Sequence, residues 1–463
     1  MYRRTLVWVV LVAVAACGGK KENDKDGKSG GAAGEKSADV STLFTGTTVT
    51  LPAEVAAATF GAPQADVNKA LGADSTYITS KTHDSVSYDL DYTREEKKLE
   101  KVSVSANKAE LEPILTKQWG PPIKNKKGEA FWFNEKDGLR AWLPDHGKGK
   151  RLAFSKYDSL TALFGPKGFD LAFAENKPLV GATLDELHKA WGGKLCDFDK
   201  EGENVKKSIE EYRTDWNGLW HDKKKTLRLC LAQPRTIEQY TPLGDTIYFG
   251  RMGRVEEVIF SFQTGGSVDL TKQMVAFFDA KLGKPTELAT SNAAERWYFE
   301  PATKRRAVVS VSLEHVTLAV SRYTPIAEVL AADTPGVISL VTKSMPGGTP
   351  EQIQKEDPDH FNPHGTLPEL VFPGTDWSRH EVEVDLAMWD KAKTTHGYSV
   401  VFHHTNNEAA GDEVFKLLEA KLGPAKKDSK WTEKDQYYNF KTKQGHGVET
   451  RRSSQQWWIR VTK

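Results

Sequence analysis

Three times along the chain, apolar residues recur at helical spacing, stop, and give way to an aromatic strand. Met274, Phe278 and Leu282 fall at i, i+4 and i+8 within Asp269–Glu300; Gly283 and Pro285 end the run, and Trp297–Phe299 follows. Leu111, Leu115 and Trp119 likewise precede Gly120-Pro121 and Phe131-Trp132-Phe133. Val414, Leu418 and Leu422 precede Gly423-Pro424 and Tyr437-Tyr438-Asn439-Phe440. A helix, a stop and a strand, written three times, is the main architectural signal.

Around each helix the period changes to two. Val86, Tyr88, Leu90 and Tyr92 alternate with Ser87, Asp89 and Asp91, Val316, Leu318 and Val320 alternate with Thr317, Ala319 and Ser321, and Val382, Val384 and Leu386 alternate with Glu383 and Asp385. These predict half-buried strands, whose acids lie on the wet face. Further strands are predicted at 102–106, 131–134, 139–143, 151–156, 226–232, 245–250, 255–263, 296–299, 306–313, 315–322, 397–403 and 457–461, with one more at Val448. Thr183 with Glu186, and Thr349 with Gln352, are capping-box signatures for two more helices, and Gln64–Leu71 is a third, stopped by Gly72. Ser155-Lys156-Tyr157 and Ser321-Arg322-Tyr323 open the second and third stretches with one phrase. The pattern predicts three units, 41–157, 158–323 and 324–463. Each is an α+β domain, an antiparallel sheet with helices packed on one face. The helix-ending glycines at 120, 283 and 423 are 163 and 140 residues apart, which excludes a short-period solenoid.

Length agrees: 463 residues suit about three domains of ~150 each. Lys plus Arg number 64 against 63 Asp plus Glu, a balance that argues against a nucleic-acid partner.

The N-terminus adds an address. Arg3 and Arg4 precede the apolar run Leu6–Ala16, too short for a membrane span and right for a signal-peptide core. Val14-Ala15-Ala16-Cys17 resembles the lipobox of bacterial lipoproteins. That resemblance implies a signal peptide over residues 1–16, lipidation of Cys17 and a place in the cell envelope. Gly18, rather than Asp, implies the outer membrane. An ordinary secretory signal with a nearby Cys is the alternative. Residues 17–40 hold no aromatic residue and predict a disordered tether of ~25–30 Å reach. The helix–Leu-Gly–strand units, with Ala70-Leu71-Gly72, Lys281-Leu282-Gly283 and Lys421-Leu422-Gly423, resemble the small periplasmic lipoproteins of outer-membrane assembly and the tandem β-lactamase-inhibitor-protein fold. This resemblance implies a protein-binding or scaffolding role.

Chemistry is sparse. Cys196 and Cys230 suit a disulfide in an oxidising compartment, or else two buried thiols. Asp357, Asp359, His360 and His364 crowd one Pro- and Gly-rich loop. They are candidate ligands for Zn²⁺ or Ca²⁺, against a solvated loop. No nucleotide loop, nucleophile elbow or H-E-x-x-H motif occurs, so no catalytic or cofactor residue is assigned. The third unit is charge-polarised. Residues 349–390 hold ten acids against two bases, and residues 421–463 hold eleven bases against four acids. Mutual neutralisation within the unit is the simple reading; docking of an envelope protein or peptidoglycan is the sharper one. The sequence therefore predicts a membrane-anchored binding or scaffold protein. The alternative is an envelope enzyme, or metal-dependent hydrolase, with a site assembled between units.

Overall fold

A computed structural model describes residues 39–462 except 95, 108, 145–148, 175–176, 192–203, 205, 208–224, 229–236, 290–293, 331–346, 364–367, 380, 389–393, 404–407 and 443–444. Cys17, Cys196, Cys230 and His364 lie outside the described residues, as does the end of the strand expected at 226–232.

Three antiparallel sheets follow one another. The first contains β1 (Tyr77–Thr79), β2 (Val86–Tyr92), β3 (Leu99–Ala106), β4 (Ile123–Lys124), β5 (Ala130–Asn134), β6 (Leu139–Leu143) and β7 (Arg151–Lys156). The second contains β8 (Lys225–Arg228), β9 (Thr241–Phe249), β10 (Val255–Gln263), β11 (Thr286–Ala289), β12 (Ala294–Glu300), β13 (Arg305–Val311) and β14 (His315–Arg322). The third contains β15 (Phe361–Asn362), β16 (Glu369–Phe372), β17 (Val382–Met388), β18 (Thr395–His403), β19 (Lys426–Lys427), β20 (Gln436–Lys441), β21 (Gly447–Arg452) and β22 (Gln456–Thr462). Their spatial orders are 1-2-3-7-6-5-4, 8-9-10-14-13-12-11 and 15-16-17-18-22-21-20-19. All three share one plan: the strand before the helix pairs with the last strand of its unit.

The repeated helices are Leu111–Trp119, Val268–Leu282 and Glu408–Leu422, each ended by the glycine the sequence supplies at positive φ. Leu115, Phe278 and Leu418 are fully buried, each in the apolar cluster of its own sheet. Three separate cores result, and the α+β, three-domain expectation holds. Both capping boxes form. Thr183 N–H donates to Glu186 at 2.7 Å and Glu186 N–H to Thr183 at 3.2 Å, and Thr349 and Gln352 exchange the same pair. Within the segment expected to be tether, Val40 is buried in a short turn, Val40–Leu43, that packs on the first core.

Candidate functional site

The faces of the sheets that do not hold the helices meet the neighbouring units, and the charged groups gather there. The turn between β9 and β10 carries Arg251, which is 3% exposed. Its Nη1 donates to both carboxylate oxygens of Glu369 on β16 at 3.0 and 3.1 Å, and its Nη2 lies 3.3 Å from Glu383 on β17. In return Arg379 of unit 3 grips Glu257 on β10 with two nitrogens, its Nε at 2.8 Å. Arg306 on β13, 1% exposed, donates to the backbone carbonyls of Thr375 and Ser378. Buried charge is retained only where paired or hydrogen-bonded, and each of these guanidiniums is.

Between the two units lies a cavity of about 180 Å³. Its wall includes Arg254, Arg322, Glu256, Glu381, His360 and Phe372. Glu381, 3% exposed, accepts the Arg251 N–H at 3.1 Å and hydrogen-bonds the Glu256 carboxyl. Burial, then the Glu256 charge, pushes its pKa well up. Burial also pushes Glu383 up to about 7 and Asp385 up to about 6, with the Glu369 charge adding to both. Gly250 makes the approach possible, because a Cβ there would overlap the Glu381 carboxylate.

Of the residues that the sequence grouped, the structure brings His360 and Asp357 together and turns Asp359 elsewhere. His360 Nδ1 meets Asp357 at 2.8 Å, and its ring packs on Phe372 with centroids 4.4 Å apart. Asp359, mostly exposed, instead faces Arg254 of unit 2 at 3.8 Å. Among the described residues no three His, Cys, Asp or Glu groups are placed to hold a metal ion. Glu383 and Asp385, expected on a wet strand face, stand on the face covered by unit 2, because alternation identifies the non-core face and not what covers it. The polarised charge of unit 3 is likewise neutralised across the boundary: Glu369, Glu383 and Asp359 pair with unit 2 arginines. Pairing within unit 3, the simpler expectation, gives way there. The basic segment keeps its own partners, Arg451 with Asp435 and Arg452 with Asp412.

The same boundary is built a second time between units 1 and 2. Arg140 on β6 donates to Ser155 on β7 at 3.1 Å and to the backbone carbonyl of Glu238 in unit 2 at 2.7 Å. Arg306 on β13 donates to Ser321 on β14 at 3.0 Å and reaches the unit 3 carbonyls. Arg140 lies opposite Phe133 in the ladder, and Arg306 lies opposite Phe299. Phe133 packs edge-on to Tyr157 at 5.1 Å, and Phe299 to Tyr323 at 5.0 Å. Arg140 sits 4.3 Å from the Trp142 ring, and Arg306 sits 5.1 Å from the Trp297 ring. Glu238 then accepts Leu160 N–H at 2.8 Å, and Asp376 accepts Ile326 N–H at 3.0 Å, each capping the short helix that opens its unit. Parallel bridges Asp158–Ile237 and Thr324–Thr375 complete the match. Burial lowers both arginines to about 10.

Comparison with protein-family models, curated proteins and solved structures returned no match. Function therefore has to be argued from the junctions and the cavity. The sequence carried one trace of the junction, the repeated Ser-[Lys/Arg]-Tyr. In both units an arginine stands fifteen residues before that serine. Only the sheet register shows that these two side chains meet.

Proposed function

We propose that the chain is a lipid-anchored cell-envelope scaffold, a rigid row of three domains held at the outer membrane through Cys17 and its tether. The duplicated junction carries this reading. Independent domains joined by linkers move relative to one another by default, unless a specific interface fixes them. Here one interface of arginine, serine, tyrosine and aromatic groups recurs, with an acid capping the incoming helix; its arginine is half-buried at the first boundary and fully buried at the second. That is the design of a spacer or platform, in which unit order and orientation matter.

A fluorophore pair at exposed Lys69 and Lys434 tests the rigidity. A narrow end-to-end distance distribution is expected, broadening in Arg140→Ala and Arg306→Ala. An equally broad distribution in the unaltered chain overturns the scaffold reading. Palmitate-analogue labelling tests the anchor separately.

The second reading is an envelope enzyme working in the cavity between units 2 and 3, favoured by the hydrogen-bonded carboxyls of Glu256 and Glu381 beside Arg254 and Arg322. A buried carboxyl whose affinity for protons is raised is material for general acid–base catalysis. A hydrolytic activity toward envelope polymers that Glu381→Gln abolishes, with melting temperature unchanged, would establish it in place of the scaffold.

A further inference from the structure

The face that joins units 1 and 2 to their successors is present in unit 3, and its residues have been exchanged. The ladders define one row across each sheet. In unit 1 it reads Phe131, Trp142, Ala153; in unit 2, Trp297, Val308, Ala319; in unit 3, Asn439, Glu449, Arg460. The next row holds the junction arginine: Phe133, Arg140, Ser155, then Phe299, Arg306, Ser321, then Lys441, Gly447, Thr462. Where the first two units bury apolar groups, the third has polar and cationic ones, and Gly447 stands where the arginine was.

Solvent exposure alone accounts for that change. It does not account for the row on the other side. There unit 3 places Tyr437, Arg451 and Trp458 directly opposite one another. Counting two residues back along the strands, units 1 and 2 have Glu129 and Glu295 in place of Tyr437, and Arg151 and Thr317 in place of Trp458. Aromatic rings stand in this row, on the β20–β22 side of the same face whose β16–β17 side meets unit 2. Cations are interleaved with them. Arg451 lies 5.7 Å and Lys430 6.0 Å from the Tyr437 ring, and Lys427 lies 4.0 Å from the Trp431 ring. Arg460, Lys441 and Arg451 are exposed, and Trp458 is half-buried. The surrounding segment 421–463 carries eleven Lys and Arg against four acids.

We infer that this sheet face binds an anionic glycan strand of the cell wall. Flat aromatic rings accept the apolar faces of sugars, and flanking guanidinium and ammonium groups take the carboxylates that such a polymer carries. The face continues the surface used for docking in the other two units, and its charge complements an acidic polymer. It lies in the last unit of the chain, whereas Cys17 precedes the first. The inference rests on the envelope scaffold reading and names the partner of that scaffold.

The test is co-sedimentation of the full chain, kept in detergent, with purified peptidoglycan sacculi. The unaltered protein is expected to pellet, and to be released as salt rises past about 0.3 M, because exposed charges are screened. Arg460→Glu with Lys441→Glu should weaken binding by about ten-fold or more, equivalent to about 1.4 kcal/mol. Trp458→Ala should weaken it at low salt without changing the slope of the salt dependence. Circular dichroism and melting of each variant establish that it is folded.

Failure to pellet, or equal pelleting of all variants, overturns the inference. So does equal binding to vesicles of anionic phospholipid that compete with sacculi, which would make the face a membrane contact. Cys17-dependent acylation without sacculus binding would sink this inference and leave the envelope reading standing. Loss of acylation would remove that reading first.

Discussion

Arg306→Ala is the sharpest test of whether the junctions hold the units together. The substitution leaves the Thr375 and Ser378 carbonyls without their buried donor. An unsatisfied buried acceptor costs about 1–3 kcal/mol, so the pair costs about 2–6. Loss of the guanidinium above Trp297 adds about 1. Against this, burial holds Arg306 at about 10, and one pKa unit corresponds to about 1.36 kcal/mol, so relief of desolvation returns about 3. The net is about 2 kcal/mol, or about thirty-fold in the open fraction of the junction. Hydrogen exchange reads it directly. Thr324 N–H donates to Gly374 at 2.8 Å and Ile326 N–H to Asp376 at 3.0 Å, both within unit 3 beside the carbonyls that Arg306 holds. Both should exchange about thirty-fold faster, whereas Leu160 N–H, held by Glu238 at the other junction, should not change. Unaltered protection at Thr324 and Ile326 would refute the argument that Arg306 locks unit 3.

The docked state of units 2 and 3 should weaken as pH rises. Glu383 and Asp385 have raised pKa values when docked, so docking takes up protons; the cost of ionising them is absent below about pH 4, grows on going up, and is complete above about 7. Proteolysis of the 373–381 loop should be faster at pH 8 than at pH 5 by more than the protease's own pH dependence, and an opposite trend would contradict this sign. Cys17→Ser should abolish labelling by a palmitate analogue; persistent label elsewhere removes the anchor. Alkylation of the chain unfolded without reductant should leave Cys196 and Cys230 unlabelled if they are bonded, a link expected to stabilise by about 3–4 kcal/mol, and two labelled thiols decide for buried free cysteines. Leu418→Ala should cost about 2–5 kcal/mol and loosen unit 3 alone, as seen by calorimetry; one transition lost throughout the chain would contradict separate cores.

Local periodicity made the larger elements legible. The helix expected at Gln64–Leu71 has those ends, because Gly72 at φ 60° stops it, and the strand expected at 315–322 keeps its bounds. The short strands β1, β4, β11, β15, β16 and β19 were missed, since two to four residues carry too little pattern. The strand order was also out of reach, because it depends on which distant strands pair. For the same reason Arg251 and Glu369, 118 residues apart, could not be connected, and Glu383 passed for a solvent-facing acid. The repeated Ser-[Lys/Arg]-Tyr was visible, but its partner arginine became meaningful only when register placed Arg140 opposite Ser155 and Arg306 opposite Ser321.

The central ladder of each sheet sets an order of events during synthesis. Val102 pairs with Phe154, Val258 with Val320, and Val400 with Ile459. In every unit the middle of the sheet closes only when its last strand has emerged, and in units 1 and 2 that strand carries the junction serine. The growing chain thus completes one core before it makes the successor's carbonyls that the junction arginine grips. Loop closure over some sixty residues is slow compared with local helix formation. Finishing one unit at a time keeps the similarly ordered strand sets of neighbouring units from pairing with one another, the characteristic error of tandem domains.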